Sequence, residues 1–124
     1  MSDPELVRAI LDQILRATQV IAKRCAPIAS PEDFLISDEG MEKLDAICMQ
    51  LIAIGESVKH LDRITDGALL PADPAVEGKR IMGMRDILSH HYFDVDAETV
   101  YAVCRIHVPV LSHELQKMLD DLPV

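Results

Sequence analysis

Apolar residues recur every three or four positions along the first part of the chain, as they do on one face of an α-helix. This first stripe comprises Leu6, Val7, Ile10, Leu11, Ile14, Leu15 and Ile21. Asp3 can cap the helix, and Pro4 suits its first position, where no backbone N–H is needed. The pattern therefore predicts a helix from Pro4 to about Arg24, ending before Pro27.

The same spacing returns after a short break. Residues 30–33 predict a capped turn with Phe34 as its apolar anchor, and a second helix should begin near Ser37 or Asp38. Its predicted buried face comprises Met41, Leu44, Ile47, Cys48, Leu51, Ile52, Gly55, Val58 and Leu61. Gly55 inside this helix costs about 1 kcal/mol relative to alanine, a cost that a close helix–helix approach would justify.

A third helix is predicted from Ala75 to about His90. It follows residues 65–74, where one glycine and two prolines predict a loop. Its predicted core residues are Ile81, Met84, Ile87 and Leu88.

The last helix should be capped by Asp94 or Asp96 and run to about Leu119, with a kink where Pro109 interrupts it. Four long helices with short connections are typical of an up-and-down bundle, here with one short extra helix or turn. We therefore predict that residues 1–124 form a single all-α domain.

Composition agrees with a helical fold and limits the possible partners. Apolar residues make up 49% of the chain but aromatic residues only 3%, so the core must be aliphatic. The formal net charge of −9 argues against nucleic-acid binding over a broad face. Any contact with nucleic acid should be local and centred on a small basic patch.

The three cysteines, Cys25, Cys48 and Cys104, are far apart and lie in apolar helical contexts. We interpret them as small buried hydrophobes in a reducing compartment rather than as disulfide or zinc ligands. His107 and His113 are poorly spaced for metal binding on one helix face. We expect no metal, no cofactor and no membrane contact, and a cytoplasmic location, because no leader or membrane-spanning apolar run is visible.

The segment from Arg85 to Tyr92 concentrates a guanidinium, a carboxylate, two imidazoles and a phenol within eight residues. Such a mixture suits a site that cleaves an RNA phosphodiester. RNA carries its own nucleophile, the 2′-hydroxyl, so a ribonuclease without a metal needs an acid or base and a fixed positive charge. Histidine and arginine are the residue types that supply these two functions.

Arg85 and His90 are five positions apart, roughly 140° around an ideal helix axis, so they do not share one face. Two arrangements would bring them together. The helix can end near Ser89, which frees His90 to swing back, or a symmetric dimer can place one chain's arginine near its partner's histidine.

Neighbouring residues can support such a site. Asp86 lies one turn before His90 and could fix its tautomer, and Lys79 and Arg80 could extend the phosphate path. Arginine and histidine near a helix end are, however, also ordinary partners of the helix dipole. From the residues alone, the segment is therefore a candidate phosphate site.

The segment resembles the R-x4-H-x-Y signature of HepT-like toxins in the HEPN superfamily, with Arg85, His90 and Tyr92 at the three fixed positions. Other parts of the chain are also similar to that family. They are residues 51–56 (Leu-Ile-Ala-Ile-Gly-Glu), Met84-Arg85-Asp86, Val95-Asp96 with Val100, and Pro109.

The resemblance implies a HEPN-like, dimeric, metal-independent endoribonuclease toxin of a type VII-like toxin–antitoxin system. Its partners would be an RNA substrate and an MntA-like nucleotidyltransferase antitoxin. By the same analogy, Arg85 and His90 would be catalytic, Asp86 and His91 would orient or support them, and Tyr92 would accept AMP from ATP. The added bulky anion would block and repel the RNA phosphate.

An alternative function is a non-catalytic, dimeric helical subunit of a nucleotidyltransferase complex. The acidic composition and the small number of lysines and arginines favour this alternative. RNA cleavage would separate the two hypotheses.

Overall fold

The computed structural model describes residues 3–70, 76–90 and 94–123, and these residues contain helices and connections but no strand. The elements are α1 (Pro4–Cys25), a 3-10 turn (Pro31–Phe34), α2 (Asp38–Ile64), α3 (Gly78–His90), α4 (Ala97–Ala102), a π-helical turn (Val103–His107) and α5 (Val108–Asp121). The fourth predicted helix corresponds to α4, the π turn and α5 together. The prediction of an all-α bundle of four helices with one short extra turn is confirmed.

Helix α1 forms as predicted and ends one residue later than expected, at Cys25. Asp3 is its cap, and its carboxylate Oδ1 accepts a hydrogen bond of 2.9 Å from the Glu5 backbone N–H. The predicted apolar stripe is buried except for Leu6, which is 41% exposed. This stripe packs against α2 on one side and α5 on the other.

Helix α2 begins after Ser37, whose hydroxyl accepts a hydrogen bond of 2.9 Å from the Gly40 backbone N–H. Phe34 in the preceding 3-10 turn is fully buried and anchors the connection, as predicted. The helix buries Ile54, which was not predicted, but leaves Met41 exposed. The prediction of Met41 as a core residue is wrong, because the neighbouring helices cover only part of the surface of α2.

Helix α3 packs mainly against α2. It begins at Gly78, since Val76 and Glu77 are not helical. Leu88 is buried as predicted, but Ile87 is 59% exposed. Its prediction as a core residue is wrong because a helix with one main packing partner buries only a narrow stripe.

The last helical segment is capped by Asp96, whose carboxylate accepts hydrogen bonds of 3.0 Å from the Glu98 backbone N–H and the Thr99 hydroxyl. The π turn ends at His107, two residues before Pro109. Pro109 has no N–H for an ordinary helical bond and its ring would clash with the preceding turn, so the wider π turn accommodates it. The predicted irregularity is therefore located in this π turn, and α5 continues to Asp121.

Within the described residues, no helix is both long enough and apolar enough to cross a membrane. All three cysteines are free thiols and buried, as predicted.

Candidate active site

Gly55 and Arg85 lie at the contact between α2 and α3. A β-carbon added to Gly55 would lie 2.8 Å from Arg85 Cγ and 3.2 Å from the Ile81 carbonyl oxygen, and still closer to Arg85 Cβ. The absence of a side chain at Gly55 therefore provides the space that the arginine stem occupies. This close approach is the one predicted from a glycine inside a helix.

Two carboxylates hold the guanidinium of Arg85. Its Nη1 lies 3.1 Å from Glu56 Oε1 and 3.1 Å from Asp86 Oδ1. The arginine side chain is only 16% exposed, whereas the two acidic side chains are 56% and 58% exposed. The positive charge is thus fixed at the helix contact, and its partners stand at the solvent surface.

The Arg85 guanidinium is incompletely hydrogen-bonded. Its Nε atom is buried and has no hydrogen-bond partner among the described residues. An arginine carries five N–H donors in a rigid fork, a geometry that matches the oxygens of a phosphate. A phosphate that displaces one of the exposed carboxylates could therefore use the Nη1 donors that this carboxylate now occupies.

His90 is exposed and is the last residue of α3. Helix α3 ends at His90, one residue after the predicted end near Ser89. Arg85 contacts α2, and His90 lies five positions further along the same helix, roughly 140° around its axis.

The proposed hydrogen bond from the His90 imidazole to the Asp86 carboxylate is not formed. Asp86 pairs with Arg85 instead, and the described residues provide His90 with no hydrogen bond or ion pair. The electrostatic reason is that the Arg85 cation is nearer and permanently charged. Asp86 therefore orients the arginine rather than the imidazole.

The remaining predicted site residues fall into two groups. His91 and Tyr92 lie outside the described residues. Lys79 and Arg80 are exposed in the first turn of α3, and Arg80 Nη1 lies 3.5 Å from Glu77 Oε2. These two basic residues are therefore accessible to a ligand but are not part of the Arg85 ion-pair cluster.

A shallow groove of about 360 Å³ adjoins the Arg85 ion pairs on α2. Its lining residues are Glu56, Ser57, Lys59, His60 and Arg63. Among these residues, Glu56 forms the ion pair with Arg85. Sequence reasoning overlooked Lys59 and Arg63, although their helical spacing from Glu56 was the available signal.

A second arginine, Arg105, lies in the π turn and connects it to the segment after α1. Its Nη2 donates hydrogen bonds to the carbonyl oxygens of Cys25, at 3.2 Å, and Ile28. Its guanidinium carbon also lies 5.3 Å from the centre of the Tyr101 ring. The Tyr101 hydroxyl donates a hydrogen bond of 2.9 Å to the Ala29 carbonyl oxygen, so this cluster joins elements of the fold.

The buried thiols are poorly suited to act as nucleophiles. Burial, with a smaller contribution from the Asp45 carboxylate, raises the pKa of Cys48 to about 11. Burial likewise raises the pKa of Cys104 well above its ordinary range, with a further contribution from Cys25. The described residues contain no group of three or more histidine, cysteine or acidic side chains arranged to hold a metal ion.

Comparison with known proteins gives a family match over most of the chain. Residues 14–118 match the family described as "Ribonuclease HepT-like". A candidate RNase of Methanocaldococcus jannaschii is 34% identical over 77 residues, which are 62% of this chain and 63% of that protein. A second candidate RNase of the same organism is 32% identical over 77 residues, 62% of this chain and 60% of that protein.

A longer match is found to a candidate RNase of Caldanaerobacter subterraneus subsp. tengcongensis. It is 30% identical over 113 residues, which are 91% of this chain and 94% of the relative. This chain spans only about three fifths of the length of the two Methanocaldococcus relatives. The comparison with solved structures finds no significant match.

Proposed function

This chain belongs to the family of HepT-like ribonucleases, and from that premise we propose that it is a metal-independent endoribonuclease with Arg85 and His90 as its catalytic residues. Arg85 stabilises the negative charge that develops on the phosphate. His90 transfers the proton.

The observation that carries this proposal is the state of the Arg85 guanidinium. It lies beside Gly55 of α2, is mostly buried, and its Nε has no hydrogen-bond partner among the described residues. Its two carboxylate partners are exposed and can be displaced. A positioned cation with exchangeable anionic partners is what recognition of a phosphodiester requires.

The reaction uses the substrate's own hydroxyl. The 2′-oxygen attacks the adjacent phosphorus as its proton passes to a base, and the bond from phosphorus to the 5′-oxygen breaks. The departing 5′-oxygen takes up a proton. The products are a 2′,3′-cyclic phosphate and a 5′-hydroxyl, and this reaction needs no metal and no external nucleophile.

We further propose a homodimer in which His90 of one protomer faces Arg85 of the other. This arrangement is supported by the separation of the two residues on one helix and by the exposure of Ile87 and Met49. It has a direct test. A mixture of Arg85→Ala chains with His90→Ala chains should regain activity, because one site of each mixed dimer keeps both residues; a site within one chain would give no recovery.

The family resemblance also supports a toxin–antitoxin role. In this proposal, a nucleotidyltransferase antitoxin transfers AMP from ATP to Tyr92. The tyrosine oxygen bonds to the α-phosphorus, pyrophosphate leaves, and the new anionic group blocks RNA entry. His91 supports the site beside it. Mass spectrometry after incubation with that enzyme and ATP should find AMP on the peptide that contains Tyr92.

The deciding experiment for ribonuclease activity compares native protein with the Arg85→Ala and His90→Ala variants on end-labelled RNA, with EDTA present. Fragments ending in cyclic phosphate should form only with the native protein. Equal cleavage by the variants would contradict the roles of these residues.

A second candidate function is a non-catalytic, dimeric binding subunit of a nucleotidyltransferase complex. The formal net charge of −9 favours it, because an acidic surface repels RNA. Stable complex formation with the nucleotidyltransferase, together with no RNA cleavage at any protein concentration, would support this function instead.

A further inference from the structure

We propose that one face of α2 holds the RNA backbone beside the cleavage site, through Lys59, His60 and Arg63. This inference rests on the proposed ribonuclease function and deepens it. It assigns the phosphates that flank the reacting one to a second helix, whereas the catalytic groups lie on α3.

The positions of these residues form a continuous track. Glu56, Lys59, His60 and Arg63 are spaced three, four and seven residues from the first, so they share one helix face. The track is about 10 Å long. It starts at Glu56, whose carboxylate is 3.1 Å from Arg85 Nη1, and leads away from the guanidinium.

The basic side chains of this groove have no acidic partner in the part of the chain that the structure describes. Among the described residues, no ion pair is formed by Lys59, His60 or Arg63. Other basic residues in this acidic chain do form such pairs. The pairs are Arg16 with Asp12, Arg80 with Glu77, and Lys117 with Glu114.

The positive charge and the open shape of the groove favour an extended polyanion as its ligand. The one carboxylate that lines it, Glu56, is already paired with Arg85, which leaves Lys59 and Arg63 as uncompensated cations. The groove is open, and its lining comes from a single helix face. A strand of RNA can therefore lie along the helix with successive phosphates beside successive cations, and this local basic track is compatible with an acidic remainder.

The test measures the salt dependence of RNA binding. All chains carry His90→Ala so that the RNA is not cut, and the probe is a fluorescein-labelled single-stranded RNA. Each phosphate contact to single-stranded nucleic acid contributes about 0.7 to the slope of log affinity against log salt. The Lys59→Ala/Arg63→Ala pair should lower this slope by about 1.4 and weaken binding roughly tenfold at low salt.

The matched control is Lys23→Ala/Arg24→Ala in the last turn of α1, which removes the same charge outside the groove. It should keep the slope and lose less than about half of the affinity. Circular dichroism should show that both pairs fold, because alanine replaces surface residues in helices. In chains with His90 intact, the groove pair should raise KM and leave kcat nearly unchanged, as expected for a binding role away from the reacting atoms.

The outcomes distinguish failure of the groove inference from failure of the proposed ribonuclease function. If native protein cleaves RNA but the groove pair binds with the native slope and affinity, the groove inference is wrong and the ribonuclease function stands. If no chain binds or cleaves RNA, both fail. If the groove pair binds RNA normally but loses a nucleotidyltransferase partner, the face is a protein-binding surface and the inference is overturned.

Discussion

Arg85 and Arg105 are both held against the helical core, but their hydrogen-bond partners differ. Arg105 donates to the backbone carbonyls of Cys25 and Ile28 and lies over the ring of Tyr101. Arg85 pairs with the exposed carboxylates of Glu56 and Asp86, and no described residue accepts a hydrogen bond from its Nε.

The difference separates a structural arginine from a candidate catalytic one. Backbone carbonyls cannot leave without unfolding the segment after α1, so the donors of Arg105 that bind them are permanently occupied. Exposed carboxylates can rotate into water at little cost, so the donors of Arg85 remain available to an incoming anion.

The largest expected effect is on catalysis. Arg85→Ala should lower RNA cleavage by about 100-fold to 1,000-fold, the loss typical of removing a transition-state charge stabiliser. Arg105→Ala should keep nearly native cleavage per folded molecule. Initial rates on labelled RNA measure both, and similar losses in the two variants would remove the distinction between the arginines.

The next effect concerns the close contact between Gly55 and Arg85. Gly55→Ala places a methyl group against Arg85 Cγ and the Ile81 carbonyl, so it should destabilise the fold by about 1–3 kcal/mol and displace the arginine. Gly83 is the matched control, because a β-carbon there meets nothing within 4 Å. Gly83→Ala should stabilise α3 by up to about 1 kcal/mol. Urea unfolding measures the free energy of unfolding of both variants. Equal changes in the two would contradict a tight contact between Gly55 and Arg85.

The effect of the structural arginine, Arg105, should be seen in the stability of the fold. Arg105→Ala should lower the free energy of unfolding by about 1–3 kcal/mol, since it leaves the carbonyls of Cys25 and Ile28 without their donor. Tyr101→Phe should cost about 1 kcal/mol through loss of the bond to Ala29. Thermal unfolding measures the stability of each variant. If either variant is as stable as the native protein, the group that it removes does not stabilise the fold.

A smaller effect depends on pH. Cys48 has an ordinary pKa of 9.0 and a folded-state pKa of about 11. Above pH 9 the unfolded thiol ionises first, so this group's stabilisation is full below pH 9 and is lost as pH rises toward 11. Unfolding at pH 8 and pH 10 should show a loss of about 1 kcal/mol from this group, which Cys48→Ala abolishes. The same slope in the variant would refute the assignment.

The smallest effect tests whether the Arg85 partners are exchangeable. Glu56→Gln should change stability by less than about 1 kcal/mol, because the ion pair is largely solvated on the glutamate side. It should strengthen RNA binding a few-fold, since it removes a competing charge. Fluorescence titration checks the affinity, with Glu114→Gln, far from the groove, as the control. Weaker binding by Glu56→Gln would mean that the carboxylate is needed to position the arginine.

The helices themselves could be predicted from the chain alone. The three- and four-residue spacing of apolar side chains, with Asp3, Ser37 and Asp96 as caps, is local information, and it placed the helix starts at α1, α2 and α4. Burial was less predictable. Met41 and Ile87 were predicted to be buried but are exposed, because the apolar period of one helix does not specify how many neighbouring helices cover it.

The helical architecture, the aliphatic core, the glycine inside α2 and the chemistry concentrated from Arg85 to Tyr92 follow from the order of residues alone. The packing of the helices was needed to show that Arg85 lies against Gly55, that Glu56 pairs with this arginine, and that Asp86 does not reach His90. The physical reason is that these pairings join residues of different helices or compete with local ones. Their outcome depends on which side chains the packing of α2 against α3 brings within contact distance.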